Sequence, residues 1–114
     1  MKWVMGVDGG GIRTIGCAVD ENGKILGSIE KGPSNHHLIG IENFQKLIQE
    51  MLVEFDQIHG LKQEDLLFVS MGLAGVDRPI DKTLIASALA QVGLAGKYMV
   101  SNDKEIALMT GIGK

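Results

Sequence analysis

The chain has 114 residues, enough for one domain or for one lobe of a larger enzyme. Hydrophobic residues make up 45% of it, which suffices for a core, and its sixteen glycines predict many tight turns. The net charge of −3, without a cluster of lysine or arginine, argues against a nucleic-acid surface. The lone cysteine, Cys17, excludes an internal disulfide and is expected to be an inert core thiol. Because no signal-peptide pattern and no run of 18 apolar residues occur, we expect a cytoplasmic protein without membrane contact.

Three strands joined by short turns are predicted at the start of the chain. They cover about residues 2–7, 13–20 and 24–31, where short runs are rich in apolar and β-branched residues. The pair Asn22-Gly23 between the second and third strands is a strong hairpin signal. The sequence therefore predicts an antiparallel meander.

The first turn of this meander combines a carboxylate with three glycines, Asp8-Gly9-Gly10-Gly11. Without Cβ atoms the backbone can approach a ligand closely, and successive N–H groups in such a turn form an anion site. A carboxylate beside bound phosphate requires a cation between them, so Mg²⁺ is implied. A plain hairpin with a solvated aspartate explains the glycines equally well. The P-loop and dinucleotide fingerprints are both absent.

A polar loop with two adjacent histidines follows the third strand, at residues 32–37. Neighbouring histidines with no third ligand nearby in the sequence are unfavourable as a metal site. Asn35, His36 and His37 suit hydrogen bonding to a polyhydroxy ligand better. After this loop, residues 40–59 carry apolar side chains at helical spacing and end at Gly60, which predicts an amphipathic core helix with a solvated charged face.

A buried strand is predicted over residues 66–71, followed by a small-residue loop at 72–79. Pro79 would begin a second helix whose apolar face is formed by Ile80, Leu84, Ile85, Ala88, Leu89 and Val92. A short strand over 97–101 leads directly to Asn102 and Asp103, and another helical pattern starts at Glu105. Either residue of the Asn102-Asp103 pair would serve as a helix cap, and Asp103 is also placed where open α/β sheets bind ligands.

The predicted order is therefore βββαβαβα, an α/β fold with a five-stranded mixed sheet and helices on its faces. Strands one, four and five are expected to be parallel, with the helices as crossovers. Their small or acidic loops, at residues 8–11, 72–77 and 102–103, would then gather along one edge of the sheet.

This order, with Asp8 and the glycines on the first hairpin, resembles the ribonuclease-H-like lobe of the sugar kinase, heat-shock protein and actin superfamily. It is most similar to the N-terminal lobe of N-acetylglucosamine kinases and of BadF/BadG/BcrA/BcrD-type ATPases. The residues that carry the resemblance are 7–11, 33–36, 72–79 and 101–103, which together span nearly the whole chain.

The resemblance implies ATP and Mg²⁺ as cofactors and an N-acetylhexosamine such as N-acetylglucosamine as substrate. It implies three groups of site residues and one base. ATP phosphates would contact Gly9, Gly10, Gly11, Ile12 and Thr14; Asp8 would lie near Mg²⁺; the sugar would contact Asn35, His36, Gly72, Gly75 and Asp77; and Asp103 would be the base. A carboxylate within hydrogen-bond reach of the attacking hydroxyl agrees with phosphoryl-transfer chemistry.

Two departures from the family pattern bear on activity. Ile12 stands where the family usually has a threonine, so only its backbone N–H can serve, with Thr14 as a partial substitute. The second lobe, which carries the adenosine site, is missing, so we expect a fragment that is inactive alone. The face left exposed would be able to drive artificial association into a homodimer.

Two other functions remain open from the sequence. The chain would alternatively belong to an ATPase that activates a partner enzyme, of the 2-hydroxyacyl-CoA dehydratase activator type, although Cys17 offers no obvious ligand for the iron–sulfur cluster of such proteins. The third hypothesis is a non-catalytic sugar- or nucleotide-sensing domain, which would bind without turnover.

Overall fold

A five-stranded mixed sheet forms the frame of the computed structural model, which describes residues 1–101. The strands lie in the order β3-β2-β1-β4-β5. Their bounds are β1 Trp3–Gly9, β2 Thr14–Asp20, β3 Ile25–Lys31, β4 Leu66–Leu73 and β5 Tyr98–Ser101. β2 pairs antiparallel with both β1 and β3, whereas β4 pairs parallel with β1 and with β5. The predicted meander and the parallel placement of strands one, four and five are thus confirmed.

Three α-helices and one 3-10 helix connect the strands in the described part of the chain. Their bounds are α1 His36–Ile39, α2 Ile41–His59 and α3 Pro79–Gln91, with the 3-10 helix at Gln63–Asp65. α2 ends as predicted, because Gly60 adopts the left-handed conformation and its N–H bonds the carbonyls of Phe55 and Asp56. The final helix predicted from Glu105 lies outside the described residues.

The core lies between α2 and one face of the sheet. Alternate residues of β1 (Trp3, Met5 and Val7) are buried, as the twofold period of a strand requires. α2 covers this face, since Phe55 packs against Trp3 with ring centroids 5.4 Å apart. The Trp3 indole N–H donates to the Lys62 carbonyl at 2.7 Å, so the buried ring keeps its polar group satisfied.

The structure corrects three details of the predicted elements. Part of the polar loop is helical, because the side chain of Asn35 caps α1. β4 extends to Leu73 and is only partly buried, with Leu67 and Phe68 at least one-third exposed. Two of the predicted core positions of α3, Ile80 and Leu84, are exposed as well.

The buried stripe of α3 starts from a charged residue. It consists of Asp81, Ile85, Ala88 and Leu89, which recur at helical spacing. The sequence predicted Ile80 on this buried face because the residue is apolar. In the structure the helix starts at Pro79, and Asp81 faces inward instead.

Cys17 lies half-buried on β2, and burial raises the pKa of its thiol. A raised thiol pKa lowers the thiolate fraction, which agrees with the expectation of an unreactive cysteine. Within residues 1–101, no helix combines the length and apolarity needed to cross a membrane.

Candidate functional site

Three loops meet beside the carboxyl ends of β1 and β4. The loop after β4 is joined to β1 by a hydrogen bond from the Ala74 N–H to the Gly9 carbonyl at 2.8 Å. The loop after β3 is joined to the first turn by a bond from the Ser34 N–H to the Gly10 carbonyl at 3.2 Å. The sheet order brings these loops together because β1 is central and pairs with β4 in parallel.

The β1–β2 turn borders a shallow cavity of about 290 Å³. Asp8, Gly10, Gly11, Ile12, Arg13 and Ile15 line it. The Gly10 N–H closes the turn by donating to the Arg13 carbonyl at 2.9 Å, so it is already used. In the described part of the chain, the N–H groups of Gly11, Ile12 and Arg13 have no backbone partner and are the donors available to an anion.

The donor set of this cavity fits a hard divalent cation beside phosphate. Asp8 is exposed at the cavity wall, with its carboxylate accessible to an ion that prefers oxygen ligands. Arg13 contributes a positive charge to the same wall, and its guanidinium also lies 3.8 Å from Glu30. The cavity can therefore accept an anion and a metal together.

Gly9 allows the loop after β3 to approach β1. A Cβ built on Gly9 would stand 2.1 Å from Ser34 Oγ and 2.8 Å from Leu73 Cδ2, so any side chain there would displace Ser34 or Leu73. The Ser34 hydroxyl is buried and has no hydrogen-bond partner among residues 1–101. The β1–β2 turn and the loop after β3 can therefore meet only because residue 9 is a glycine, which has no side chain.

Asn35 packs against the backbone of the loop after β4. A Cβ on Gly75 would stand 2.4 Å from Asn35 Oδ1, and Gly75 has a φ of +89°. Asn35 Oδ1 accepts the N–H of His37 at 3.0 Å. The Asn35 amide thus lies between α1 and Gly75, with its orientation set by one hydrogen bond and one close contact.

Two histidines and one carboxylate form a cluster behind Asn35. The Nε2 atoms of His36 and His37 both lie 3.0 Å from Asp81 Oδ1, and the His37 Nε2 also lies 3.1 Å from the Gly75 carbonyl. The sequence offered no third ligand near the histidines, but the fold supplies one, since donor atoms of all three residues lie within 4.8 Å of one another.

The Asp81 carboxylate is buried and ionised. Its side chain is 1% exposed, and the Arg78 guanidinium lies 3.2 Å from Oδ1 and 3.3 Å from Oδ2. The Arg78 side chain, the N–H groups of Arg78 and Asp77, and His36 hold the pKa of Asp81 well below its usual range, although desolvation opposes them. An ionised carboxylate only accepts hydrogen bonds, so the His36 Nε2 carries the proton that it donates.

The family model described as the BadF/BadG/BcrA/BcrD ATPase family matches residues 5–112. The chain belongs to the BadF/BadG/BcrA/BcrD ATPase family. It is 38% identical over 114 residues to an N-acetylmuramic acid/N-acetylglucosamine kinase of Clostridium acetobutylicum, covering all of this chain and 37% of that protein. It is 30% identical over 119 residues to an N-acetyl-D-glucosamine kinase of Dictyostelium discoideum, covering 94% of this chain and 36% of the relative.

Solved structures agree with this fold. The ethanolamine utilization protein EutJ of Carboxydothermus hydrogenoformans superposes with a TM-score of 0.72 at 14% identity, over the whole chain and 41% of its own length. A candidate N-acetylglucosamine kinase of Chromobacterium violaceum also gives 0.72, at 23% identity, over 99% of this chain and 39% of its own. The actin-like fold predicted from the sequence is thus confirmed, and the chain spans little more than a third of the length of the curated relatives.

In this member of the BadF/BadG/BcrA/BcrD family, the structure brings most of the predicted site residues together. Gly11 and Ile12 line the cavity with Asp8, whereas Asn35, His36 and Gly75 lie in the adjoining loops. Gly72 is buried in β4 and lies in register with Asp8 and Ser101, and Asp77 is exposed in the loop after β4. Asn102 and Asp103 lie outside the described residues.

Thr14 is the predicted phosphate contact that the geometry does not favour. It is fully buried and pairs with Gly9, whereas Asp8 is exposed and pairs with Ile15. Because successive side chains of a strand point to opposite faces, the Thr14 hydroxyl faces the core side and Asp8 the other. Gly10 lines the cavity, but its N–H donates to the Arg13 carbonyl within the turn and so is not available to donate to phosphate.

Asp81 is the site residue that the sequence reasoning missed. A signal was present, because Pro79 at the first position of α3 puts Asp81 at the third, where acidic side chains accept backbone N–H groups at a helix start. The spacing of Asp81 to Ile85, Ala88 and Leu89 also follows one helix face.

A second surface cavity, of about 360 Å³, lies away from these loops. Lys31, Lys46, Gln49, Glu50, Val53 and Glu54 line it. One of its two lysines, Lys31, pairs with Glu54 and lies 3.9 Å from Glu50. This cavity carries none of the glycine or asparagine features of the loops, so the site is assigned to the loops.

Proposed function

We propose that this chain is the N-terminal lobe of a two-lobe, ATP-dependent sugar kinase that phosphorylates an N-acetylhexosamine such as N-acetylglucosamine. The observation that carries the proposal is the junction of three loops through the Ala74–Gly9 and Ser34–Gly10 hydrogen bonds. This junction places the cavity that contains the Asp8 carboxylate beside the loop that carries the Asn35 amide. Relatives named as N-acetylglucosamine kinases support the substrate class.

The residues of the β1–β2 turn would hold the phosphates of ATP. The N–H groups of Gly11, Ile12 and Arg13 would donate to phosphoryl oxygens, and the Asp8 carboxylate would be a ligand of Mg²⁺. Mg²⁺, when bound, would neutralise charge on the phosphoryl oxygens. Gly9 would contribute by its small size, since it lets Ser34 approach the turn.

The sugar would lie against the loops after β3 and β4. Asn35 would donate through its Nδ2 to a sugar oxygen, with Gly72, Gly75 and Asp77 along the pocket wall. Asp103 would accept the proton of the attacking hydroxyl as the oxygen bonds to the γ-phosphorus and ADP departs. His36 would act behind Asn35, since it is buried against Asp81.

The test is ATP turnover by the full-length protein with and without N-acetylglucosamine. Sugar-dependent release of ADP together with a phosphosugar would establish the kinase. ATP hydrolysis that ignores every amino sugar would instead favour an ATPase that activates a partner protein. Sugar binding without turnover would favour a sensing domain.

Substitution of the proposed base sharpens this test. Asp103→Asn is expected to abolish phosphoryl transfer while the sugar affinity stays within a few fold of wild type, because the amide keeps the shape but cannot take the proton. Unchanged turnover in Asp103→Asn would reject Asp103 as the base. Glu21→Gln, at an exposed turn between β2 and β3, is the matched control and should leave turnover unchanged.

A further inference from the structure

We propose that Asp81 is a positioning residue for the sugar: through His36 and His37 it fixes Asn35 against Gly75 and so sets the direction of the Asn35 amide. This inference rests on the proposed function, since it assigns Asn35 to the sugar. Asp81 touches no proposed substrate atom and acts through the two histidines.

The hydrogen bonds of Asp81 exceed what a helix cap requires. Its Oδ2 accepts the N–H groups of Arg78 at 3.0 Å and Asp77 at 3.3 Å, which is an ordinary role at the start of a helix. Its Oδ1 faces His36, which is 45 residues earlier in the chain, at 3.0 Å. A buried charge is costly unless it is paired, so this carboxylate firmly joins α1 to α3.

The hydrogen bond between Asp81 and His36 also fixes the position of Asn35. Asn35 immediately precedes α1, and its Oδ1 accepts the N–H of His37. The His37 ring reaches the Gly75 carbonyl at 3.1 Å, so α1 is held to the loop after β4 at a second point. Within residues 1–101 the Asn35 Nδ2 has no hydrogen-bond partner and is the group left to donate to a ligand.

A metal ion is the competing occupant of this cluster, because two imidazoles and a carboxylate are a common donor set. Two observations disfavour it. The Arg78 guanidinium already supplies positive charge to Oδ1 at 3.2 Å. The buried His36 Nδ1 has no partner among the described residues, whereas a metal-bound histidine normally donates its other N–H. The cluster is therefore a hydrogen-bonded clamp.

The kinetic test uses the full-length protein and Asp81→Asn. An asparagine replaces one carboxylate oxygen with an NH₂ group. That group would face either His36 or the N–H groups of Asp77 and Arg78, all of which donate, so hydrogen bonds on at least one side are lost. The KM for N-acetylglucosamine is expected to rise about tenfold or more, while kcat and the KM for ATP stay within roughly threefold. An unchanged sugar KM would overturn the proposal.

Two controls separate positioning from stability. Asp56→Asn removes a carboxylate of an exposed ion pair with Lys62 on α2 and should leave all kinetic constants unchanged. Leu89→Ala truncates a fully buried residue of α3 and should lower the melting temperature without raising the sugar KM. A sugar KM that rises in Leu89→Ala as much as in Asp81→Asn would reduce Asp81 to a structural residue and overturn the proposal.

The histidine side of the clamp is tested by a conservative pair of variants. Glutamine can present an N–H close to where the His36 Nε2 lies, so His36→Gln should retain most of the sugar affinity that His36→Ala loses. Equal loss in both variants would contradict the donor role of His36. Activity that depends on added zinc and is removed by a chelator in Mg²⁺ buffer would overturn the clamp in favour of a metal site.

A readout independent of activity uses ¹⁵N NMR of the histidine rings, with His36→Gln to assign the signals. The His36 ring should carry its proton on Nε2 in the wild type and lose this preference in Asp81→Asn, and the amides of Asn35 and Gly75 should exchange faster. If the wild type phosphorylates no amino sugar, the proposed function is wrong. The NMR experiment then decides by itself whether Asp81 holds the loop after β3 against the loop after β4. Unaltered ring signals and exchange would reject the clamp.

Discussion

Gly75 and Asn35 meet with no room for a side chain between them. A Cβ on Gly75 would stand 2.4 Å from Asn35 Oδ1 and 2.8 Å from its Cγ. The two residues belong to loops 40 positions apart that the fold brings to the same edge of the sheet. Contact between them makes the proposed sugar-binding amide sensitive to the smallest possible substitution in its neighbour.

Gly75→Ala is therefore expected to weaken sugar binding as well as the fold. The added methyl group displaces Asn35, and a φ of +89° adds about 1–2 kcal/mol of backbone strain for a residue with a Cβ. The sugar KM should rise by about tenfold or more, the equivalent of one good hydrogen bond to the sugar. Steady-state kinetics of the full-length protein measure the KM, and urea unfolding measures the strain.

Gly23→Ala is the matched control for this prediction. Gly23 has a φ of +85° and open space where the Cβ would be, so the substitution brings strain without a collision. It should destabilise the protein to a similar extent and leave the sugar KM unchanged. A sugar KM that rises equally in both variants would show that strain, and not displacement of Asn35, is the cause.

Gly9→Ala is expected to separate the β1–β2 turn from the loop after β3. Its Cβ would overlap Ser34 Oγ, and the cost should be about 1–3 kcal/mol of overpacking. Gly6→Ala lies on the same strand with nothing within 4 Å of the added Cβ and should be nearly neutral. Urea unfolding of the two variants checks the difference, and equal losses would contradict the close approach of Ser34.

Ile12→Thr is expected to improve ATP binding. Ile12 is 87% exposed at the anion cavity, so its replacement sacrifices almost no buried apolar surface. A hydroxyl at this position would add one donor to phosphate, worth about 0.5–1.5 kcal/mol, or roughly a twofold to tenfold lower KM for ATP. Ile12→Val is the control without a hydroxyl. An ATP KM that falls equally in both variants would exclude the hydroxyl as the cause.

Stability at low pH is expected to depend on Asp81. Because its folded-state pKa is lowered, the ionised carboxylate stabilises the fold above the ordinary value of about 3.9 and this contribution is lost as the pH falls below it. Wild type should exceed Asp81→Asn in free energy of unfolding at pH 5, and this margin should shrink below about pH 4. Urea titrations at each pH measure it.

The control for this pH prediction is a carboxylate in an exposed ion pair. Asp56→Asn, which breaks an exposed ion pair with Lys62, should differ from wild type by no more than about 1 kcal/mol. A margin between wild type and Asp81→Asn that does not shrink below about pH 4 would contradict a lowered pKa for Asp81.

Local patterns in the sequence predicted most of the elements. Helical spacing and Gly60 located α2, the Asn22-Gly23 pair located a hairpin, and apolar runs located the strands to within two residues. The glycine loops were recognised for the same reason, since glycine marks turns and close approaches wherever it occurs. These features depend on neighbours along the chain, which a sequence displays directly.

Tertiary structure decided the contacts between distant loops. Nothing near His36 or His37 in the sequence indicated a third polar partner, and the apolar pattern of α3 favoured Ile80 over Asp81 for the buried face. A buried charge becomes acceptable only when partners arrive from other segments, here two imidazoles that are 45 and 44 positions earlier in the chain. The sequence alone thus determined the fold class and the glycine turns, whereas packing determined which polar side chains meet, because their pairing energy exists only once the sheet has brought the loops together.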